Sequence, residues 1–160
     1  MSFAQAWPEL RPAGEDAILA KPITRVRGRA LGEVLLVEDD PLIALALEDA
    51  LRDAGARDVT ICRTTAEALA ALRERKPDAM VIDVHLADRD DGWAIAELVS
   101  SVGPKPPRIV FSTGAPQDIP AEIAELGPVL EKPYNYAELV EALRRPPRAG
   151  LLSRIKGALT

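Results

Sequence analysis

Five short apolar runs, each followed by a polar turn and most of them by helix-start residues, constrain this chain more than any other feature. Residues 33–37 (EVLLV) form a continuous rather than alternating run, as expected of a strand buried on both faces. Asp40-Pro41 then supplies an N-cap and a proline at the first helical position. Ile43, Leu47, Ala50, Leu51 and Ala54 share one face of the helix that follows, and Gly55 closes it. The pattern repeats with a strand at 59–62, a Thr64/Glu67 capping box and a helix to about 75. It repeats again with a strand at 79–84 and a helix at 92–101 that turns Ile95, Leu98 and Val99 inward. After the extended connector at 104–107 come a strand at 108–112 and a weaker helix at about 120–126. A short strand at 128–130 precedes a last helix, capped by Asn135 and Glu138 and ending near 143. Five such β–α units predict an α/β fold: a doubly wound, five-stranded parallel sheet in a three-layer sandwich.

Charge and cysteine usage narrow the function classes. Residues 31–143 carry 22 acids and 10 bases, whereas residues 144–160 carry five bases and no acid. An acidic body is a poor nucleic-acid ligand, so DNA is not expected as a partner. The longest apolar runs are far below the roughly 20 residues of a membrane helix. With no basic, apolar leader at the start, a cytoplasmic protein is expected. A single cysteine, Cys62, excludes an internal disulfide and a cysteine-built metal site, and a single histidine, His85, excludes a histidine-rich centre. The expected organisation is an irregular arm at 1–30, one globular domain at 31–145 and a basic tail at 146–160. Phe3, Trp7 and Leu10 give the arm docking residues, and Leu151, Leu152, Ile155 and Leu159 give the tail the spacing of a short amphipathic helix.

In an open parallel sheet, ligands sit outside the carboxyl ends of the strands. Here the first strand ends in Glu38-Asp39-Asp40, the third at Asp83, the fourth in Ser112-Thr113-Gly114 and the fifth in Glu131-Lys132-Pro133. Carboxylates crowded at one edge repel one another, and a hard divalent cation relieves that repulsion. Magnesium suits such a set, because it takes one or two carboxylates, waters and a phosphoryl oxygen. Asp83, being central, could act as nucleophile towards phosphorus, with Lys132 and Thr113 holding phosphoryl oxygens. Asp40, placed before a proline, reads as a cap rather than a ligand.

Four motifs in order, VLLVEDD, VIDVHLAD, FSTGA and EKPY, make the chain resemble the receiver domain of two-component response regulators from about residue 32 to residue 145. Asp39 and Asp83 lie 44 residues apart, and Asp83 and Thr113 lie 30 apart, in keeping with that family. The resemblance implies a (βα)5 flavodoxin-like fold with Asp83 as phosphoacceptor. It further implies Mg2+ held by Glu38 (mainly through water), Asp39, Asp83 and the backbone carbonyl of His85. Thr113 becomes the switch hydroxyl, Lys132 the phosphate-binding lysine, and Lys132-Pro133 a cis peptide. The chain is then not an enzyme in the ordinary sense but a domain that catalyses its own phosphorylation and slow dephosphorylation.

Two departures matter. Glu38 stands where aspartate is commoner, and Val129 stands where an aromatic switch is usual three residues before the lysine. The FSTGA loop together with Val129 resembles a single-domain subgroup with a Phe-Ala-Thr-Gly loop, linked to general stress signalling in alphaproteobacteria. The implied partners are a sensor histidine kinase or phosphotransfer protein and a downstream protein. A homodimer through helix 4, strand 5 and helix 5, or through the tails, stays open. Fifteen residues after Arg145 leave no room for a DNA-binding module within this sequence. Two alternatives remain: a magnesium-dependent aspartyl-phosphate phosphohydrolase, which usually has a second acid where His85 stands, and a pseudo-receiver that binds partners without phosphorylation.

Overall fold

The computed structural model describes residues 29–86, 93–100 and 104–146. The arm before residue 29 and the tail after 146 lie outside the described residues, as does Gly92, the expected start of the third helix. Strands β1 (Gly32–Val37), β2 (Ala56–Cys62), β3 (Ala79–Asp83), β4 (Arg108–Thr113) and β5 (Val129–Glu131) form one sheet in the order β2-β1-β3-β4-β5. Every neighbouring pair is parallel. Helices α1 (Pro41–Asp53), α2 (Thr65–Glu74), α3 (Trp93–Ser100), α4 (Ala121–Ala124) and α5 (Tyr136–Arg144) make the outer layers.

Alternation along the buried strands divides the core. Val34 and Leu36 of β1, Val81 of β3 and Val110 of β4 pack with Leu47 and Leu51 of α1 and Leu139 and Leu143 of α5. Leu35, Val37, Met80, Ile82 and Phe111 pack on the other face with Ala68, Ile95 and Ile123, from α2, α3 and α4. Successive side chains of a strand point to opposite faces, so an unbroken apolar run is what a covered sheet requires.

The helix starts form as expected. Asp40 accepts from the Leu42 and Ile43 amides at 2.8 and 3.1 Å and is therefore a cap. Thr64 accepts from the Glu67 amide, while the Glu67 carboxylate reaches back to the Arg63 amide, one residue before the position a capping box predicts. Gly55 follows α1 with φ of 93°, a left-handed conformation that glycine adopts without strain.

Some expectations need correction. Strand β2 begins three residues earlier than predicted, because pairing with β1 continues down to Ala56. The inward residue of α1 is Ala44, and Ile43 is exposed. In α3 Ile95 faces the core as expected and Val99 packs against it, Ala96 is also buried, and Leu98 is exposed. The helix expected at 120–126 is a single turn, preceded by a 3-10 turn at Pro116–Asp118: Pro120 is its N-cap, and the chain leaves the helix with the Leu126 amide on the Ile123 carbonyl, just before Gly127-Pro128. Tyr136, the first residue of α5, is 44% exposed.

At the amino ends of the strands, Arg108 is buried and its guanidinium donates to four backbone carbonyls. These are Leu143 at 2.6 Å, Leu31 at 2.8 Å, Ala30 at 2.9 Å and, more weakly, Asp78 at 3.4 Å. Burial lowers its pKa from the usual arginine value, but an arginine stays charged in proteins. One side chain thereby ties the entry to β1, the turn before β3 and the end of α5 at the pole opposite the acidic edge.

Candidate functional site

The register sets the site. Val37 lies level with Cys62 and Ile82, and Asp83 with Ser112, so the strand ends deliver their next residues to one rim. Glu38 and Asp83 are buried there, and Asp39 is half-buried. One carboxylate oxygen from each of the three lies within 4.8 Å of the others. Lys132, half-buried, reaches between them, with its Nζ 3.0 Å from Glu38 Oε2 and 3.0 Å from Asp83 Oδ2. The peptide that follows it, Lys132-Pro133, is cis.

Backbone amides satisfy the remaining lone pairs. The Asp40 amide donates to Glu38 Oε1 at 3.1 Å, and the His85 amide to Asp83 Oδ1 at 3.0 Å. Burial, and then the Asp83 charge, raise the Glu38 pKa above the ordinary carboxylate value against the opposing pull of Lys132. Burial alone would lower the Lys132 pKa, but its bonds and charge pairing with Asp83 and Glu38 outweigh that and raise it. Three carboxylates facing one ammonium leave the rim net negative.

Thr113 is fully buried at the end of β4, and its hydroxyl oxygen accepts from the Ala115 amide at 3.0 Å. The hydroxyl is thus turned into its own loop, while the Thr113 carbonyl accepts from the Lys132 amide at 2.8 Å. The structure therefore gathers Glu38, Asp39, Asp83 and Lys132 directly and sets Thr113 beside them on the next strand. The His85 imidazole is a partly exposed loop group, 3.7 Å from Asp118 of the 3-10 turn. Buried Cys62 has a thiol that desolvation and the Glu67 charge push up to about 11, so it is uncharged at neutral pH.

Three contacts escaped the sequence reasoning because their partners come from distant elements. Arg63 donates to the Asp39 carbonyl at 3.3 Å, Asp118 faces His85, and the Ser112 and Tyr134 hydroxyls pair at 2.9 Å. No local pattern marks any of them.

With that geometry in place, residues 34–144 match the family described as the response regulator receiver domain. The chain belongs to this family. It is 31% identical over 141 residues to the phyllosphere-induced regulator PhyR of Methylorubrum extorquens, covering 78% of this chain and 52% of that protein. This receiver chain thus spans about half the length of PhyR and 60% of the transcriptional regulatory protein PdtaR of Mycobacterium tuberculosis, which is 27% identical over 76% of this chain. Among solved structures it is similar to a CheY-like receiver domain from Methylobacillus flagellatus, with a TM-score of 0.61, 29% identity, and coverage of 69% of this chain and 93% of that one. Another similar structure is the receiver domain of sensor histidine kinase PA1611 from Pseudomonas aeruginosa, described with magnesium coordinated in its active-site cleft. Its TM-score is 0.58 at 28% identity, covering 71% of this chain and 94% of that one. Among the described residues, no helix is long and apolar enough to cross a membrane.

Proposed function

We propose that this receiver is phosphorylated on Asp83 in a magnesium-dependent reaction and signals through protein contacts. The observation that carries the reading is the buried Glu38–Lys132–Asp83 bridge, with Asp39 beside it, at the carboxyl ends of a parallel sheet. Hard oxygen donors without sulfur or imidazole nitrogen suit magnesium, and Asp39, Asp83, the His85 carbonyl and, through water, Glu38 would hold it. The cation supplies neutralisation of the charge that develops on the transferring phosphoryl group.

Asp83 Oδ2 attacks phosphorus, the bond from phosphorus to the donor's leaving atom breaks with its electron pair, and an acyl phosphate forms on the carboxylate. Lys132 already donates to that oxygen, so it need move only to a phosphoryl oxygen of the product. The Thr113 hydroxyl oxygen accepts from the Ala115 amide and still carries its own hydrogen, which turns to donate to another phosphoryl oxygen. The domain boundaries proposed are an arm at 1–30, the receiver at 31–145 and a basic tail at 146–160.

A phosphodonor protein, either a sensor histidine kinase or a phosphotransfer protein, docks over the first turns of α1. Leu42, Ile43 and Leu45 form an exposed apolar rim there, directly after the acidic loop. The similarity to PhyR, which a structure from Bartonella quintana describes as an anti-anti-sigma factor, supports a protein as the downstream partner. The His85 position, which lacks the second acid expected of a phosphohydrolase, argues against that alternative.

Incubation with acetyl phosphate, with and without magnesium, tests the reading. We expect label in wild type that requires magnesium and is lost in Asp83→Asn. Label that persists in Asp83→Asn would overturn the acceptor assignment. No label in wild type, with magnesium binding intact, would instead favour a pseudo-receiver.

A further inference from the structure

Ser112 and Thr113 are neighbours on β4, so their side chains point to opposite faces of the sheet. Thr113 follows Phe111 on the α3–α4 side, and Ser112 follows Val110 on the α1–α5 side. Any displacement of the Thr113 backbone is therefore felt on both faces at once. On the second face, the 1%-exposed Ser112 pairs its hydroxyl with that of Tyr134 at 2.9 Å.

Tyr134 lies two residues after Lys132 and one before Asn135, which caps α5 through the Ala137 amide at 2.9 Å. Its ring packs against the core cluster that contains Leu139 and Leu143 of α5. The short segment from Lys132 to Tyr134 is thus fastened to β4 twice, by the Lys132 amide on the Thr113 carbonyl and by the paired hydroxyls. Val129, the position from which an aromatic could otherwise transmit a change, carries only a small apolar side chain within the opposite core cluster.

We infer that Tyr134 is a positioning residue whose hydrogen bond to Ser112 couples the state of Asp83 to the first turn of α5. This rests on the phosphorylation reading above. While the hydroxyl pair holds, re-aiming Lys132 and shifting Thr113 moves the 132–134 segment and the end of β4 together. The N-terminal turn of α5, with exposed Tyr136, follows. Without the phenol hydroxyl, Lys132 re-aims by itself and α5 keeps its resting position. The deletion is small: Tyr134→Phe keeps the ring and its packing, and Ser112→Ala removes the same bond from the strand side.

The test is amide NMR of the whole chain with magnesium, before and after beryllium fluoride, in wild type, Tyr134→Phe, Ser112→Ala and the double variant. Wild type should shift amides around Asp83 and Lys132, in the loop after Thr113, and in residues 135–141. Each variant should keep the shifts around Asp83 and Lys132 with an unchanged beryllium fluoride titration, yet lose those in 135–141. The double variant should lose no more than either single one, because a single bond is removed in all three. Shifts in 135–141 of wild-type size in Tyr134→Phe would overturn the coupling while leaving the phosphorylation reading intact. Absence of any response around Asp83 in wild type would overturn that reading and the coupling with it. Loss of the cooperative unfolding transition in both single variants would make the bond a folding requirement and overturn its role as a coupler.

Discussion

Replacing Lys132 by methionine isolates the electrostatics of the rim, since methionine retains most of the apolar stem and removes only the ammonium. At 3.0 Å, and with an effective dielectric constant of about 20, each of the two ion pairs has a gross attraction of roughly 5 kcal/mol. Much of this is offset by the cost of taking all three charges out of water. Measured losses on breaking a buried pair from one side are about 3–5 kcal/mol. The Lys132 side chain is 26% exposed, so water partly screens the pairs and a loss of about 2–4 kcal/mol is expected in the absence of metal. That is a large fraction of the stability of a domain this size.

Urea unfolding followed by circular dichroism in EDTA measures it, with equal slopes showing that the same surface is exposed. Two further dependences belong to the same argument. Without the ammonium, the folded-state pKa of Glu38 rises further above the unfolded value. The folded variant then binds more protons than the unfolded chain, so its deficit shrinks as pH falls from neutrality towards the ordinary carboxylate range. Adding Glu38→Gln should recover part of the loss, because only one buried carboxylate then remains. A Lys132→Met protein as stable as wild type in EDTA at pH 7, with no change in the deficit on acidification, would refute the claim that this lysine holds the acid pair in place.

Arg108→Leu leaves the carbonyls of Ala30 and Leu31 before β1 and of Leu143 in α5 without this donor and should cost about 2–4 kcal/mol, read as a lower urea midpoint, with magnesium affinity unchanged. Asp40→Ala removes the two amide bonds that start α1 and should cost about 1 kcal/mol by the same assay. Asp39→Asn should weaken magnesium binding while stabilising the metal-free fold by about 1 kcal/mol. Equal magnesium titrations of the two proteins would remove Asp39 from the site.

What could be read from the sequence followed from local rules and from topology. The EVLLV run, the Asp40-Pro41 start and the Thr64/Glu67 pair are self-contained signals, and right-handed parallel connections then place every strand end on the same edge. That reasoning located Glu38, Asp39, Asp83 and Lys132 together before any distance was known. The rim of α1 was misjudged because Ile43 and Ala44 both satisfy a helical stripe, and only the direction of β1 decides which faces the sheet. The single turn of α4 is shorter than the sequence predicts because 120–126 has apolar residues at helical spacing, yet the chain turns out of the helix at Ile123–Leu126, before Gly127-Pro128. Arg108 read as an ordinary strand residue, since nothing near it in sequence announces carbonyl partners at Ala30, Leu31 and Leu143. Long-range side-chain pairing, of which Ser112 with Tyr134 is another case, has no periodicity to betray it.

Buried Arg108 and half-buried Lys132 divide the labour of the fold. Arg108 donates to backbone carbonyls, with the Asp78 and Arg29 charges nearby, and its contacts join segments away from the acidic rim. Lys132 faces two carboxylates with a third nearby, and its end of the sheet keeps an excess of negative charge. An added cation relieves that excess, and a phosphoryl group of about −2 charge on Asp83 gives Lys132 a stronger partner than the carboxylate it now holds. The energy for rearrangement is therefore localised at the carboxyl ends of the strands. Under the proposed phosphorylation the opposite pole would stay fastened, so that the loop after Thr113 and the first turn of α5 would move against a fixed base rather than loosening the whole domain.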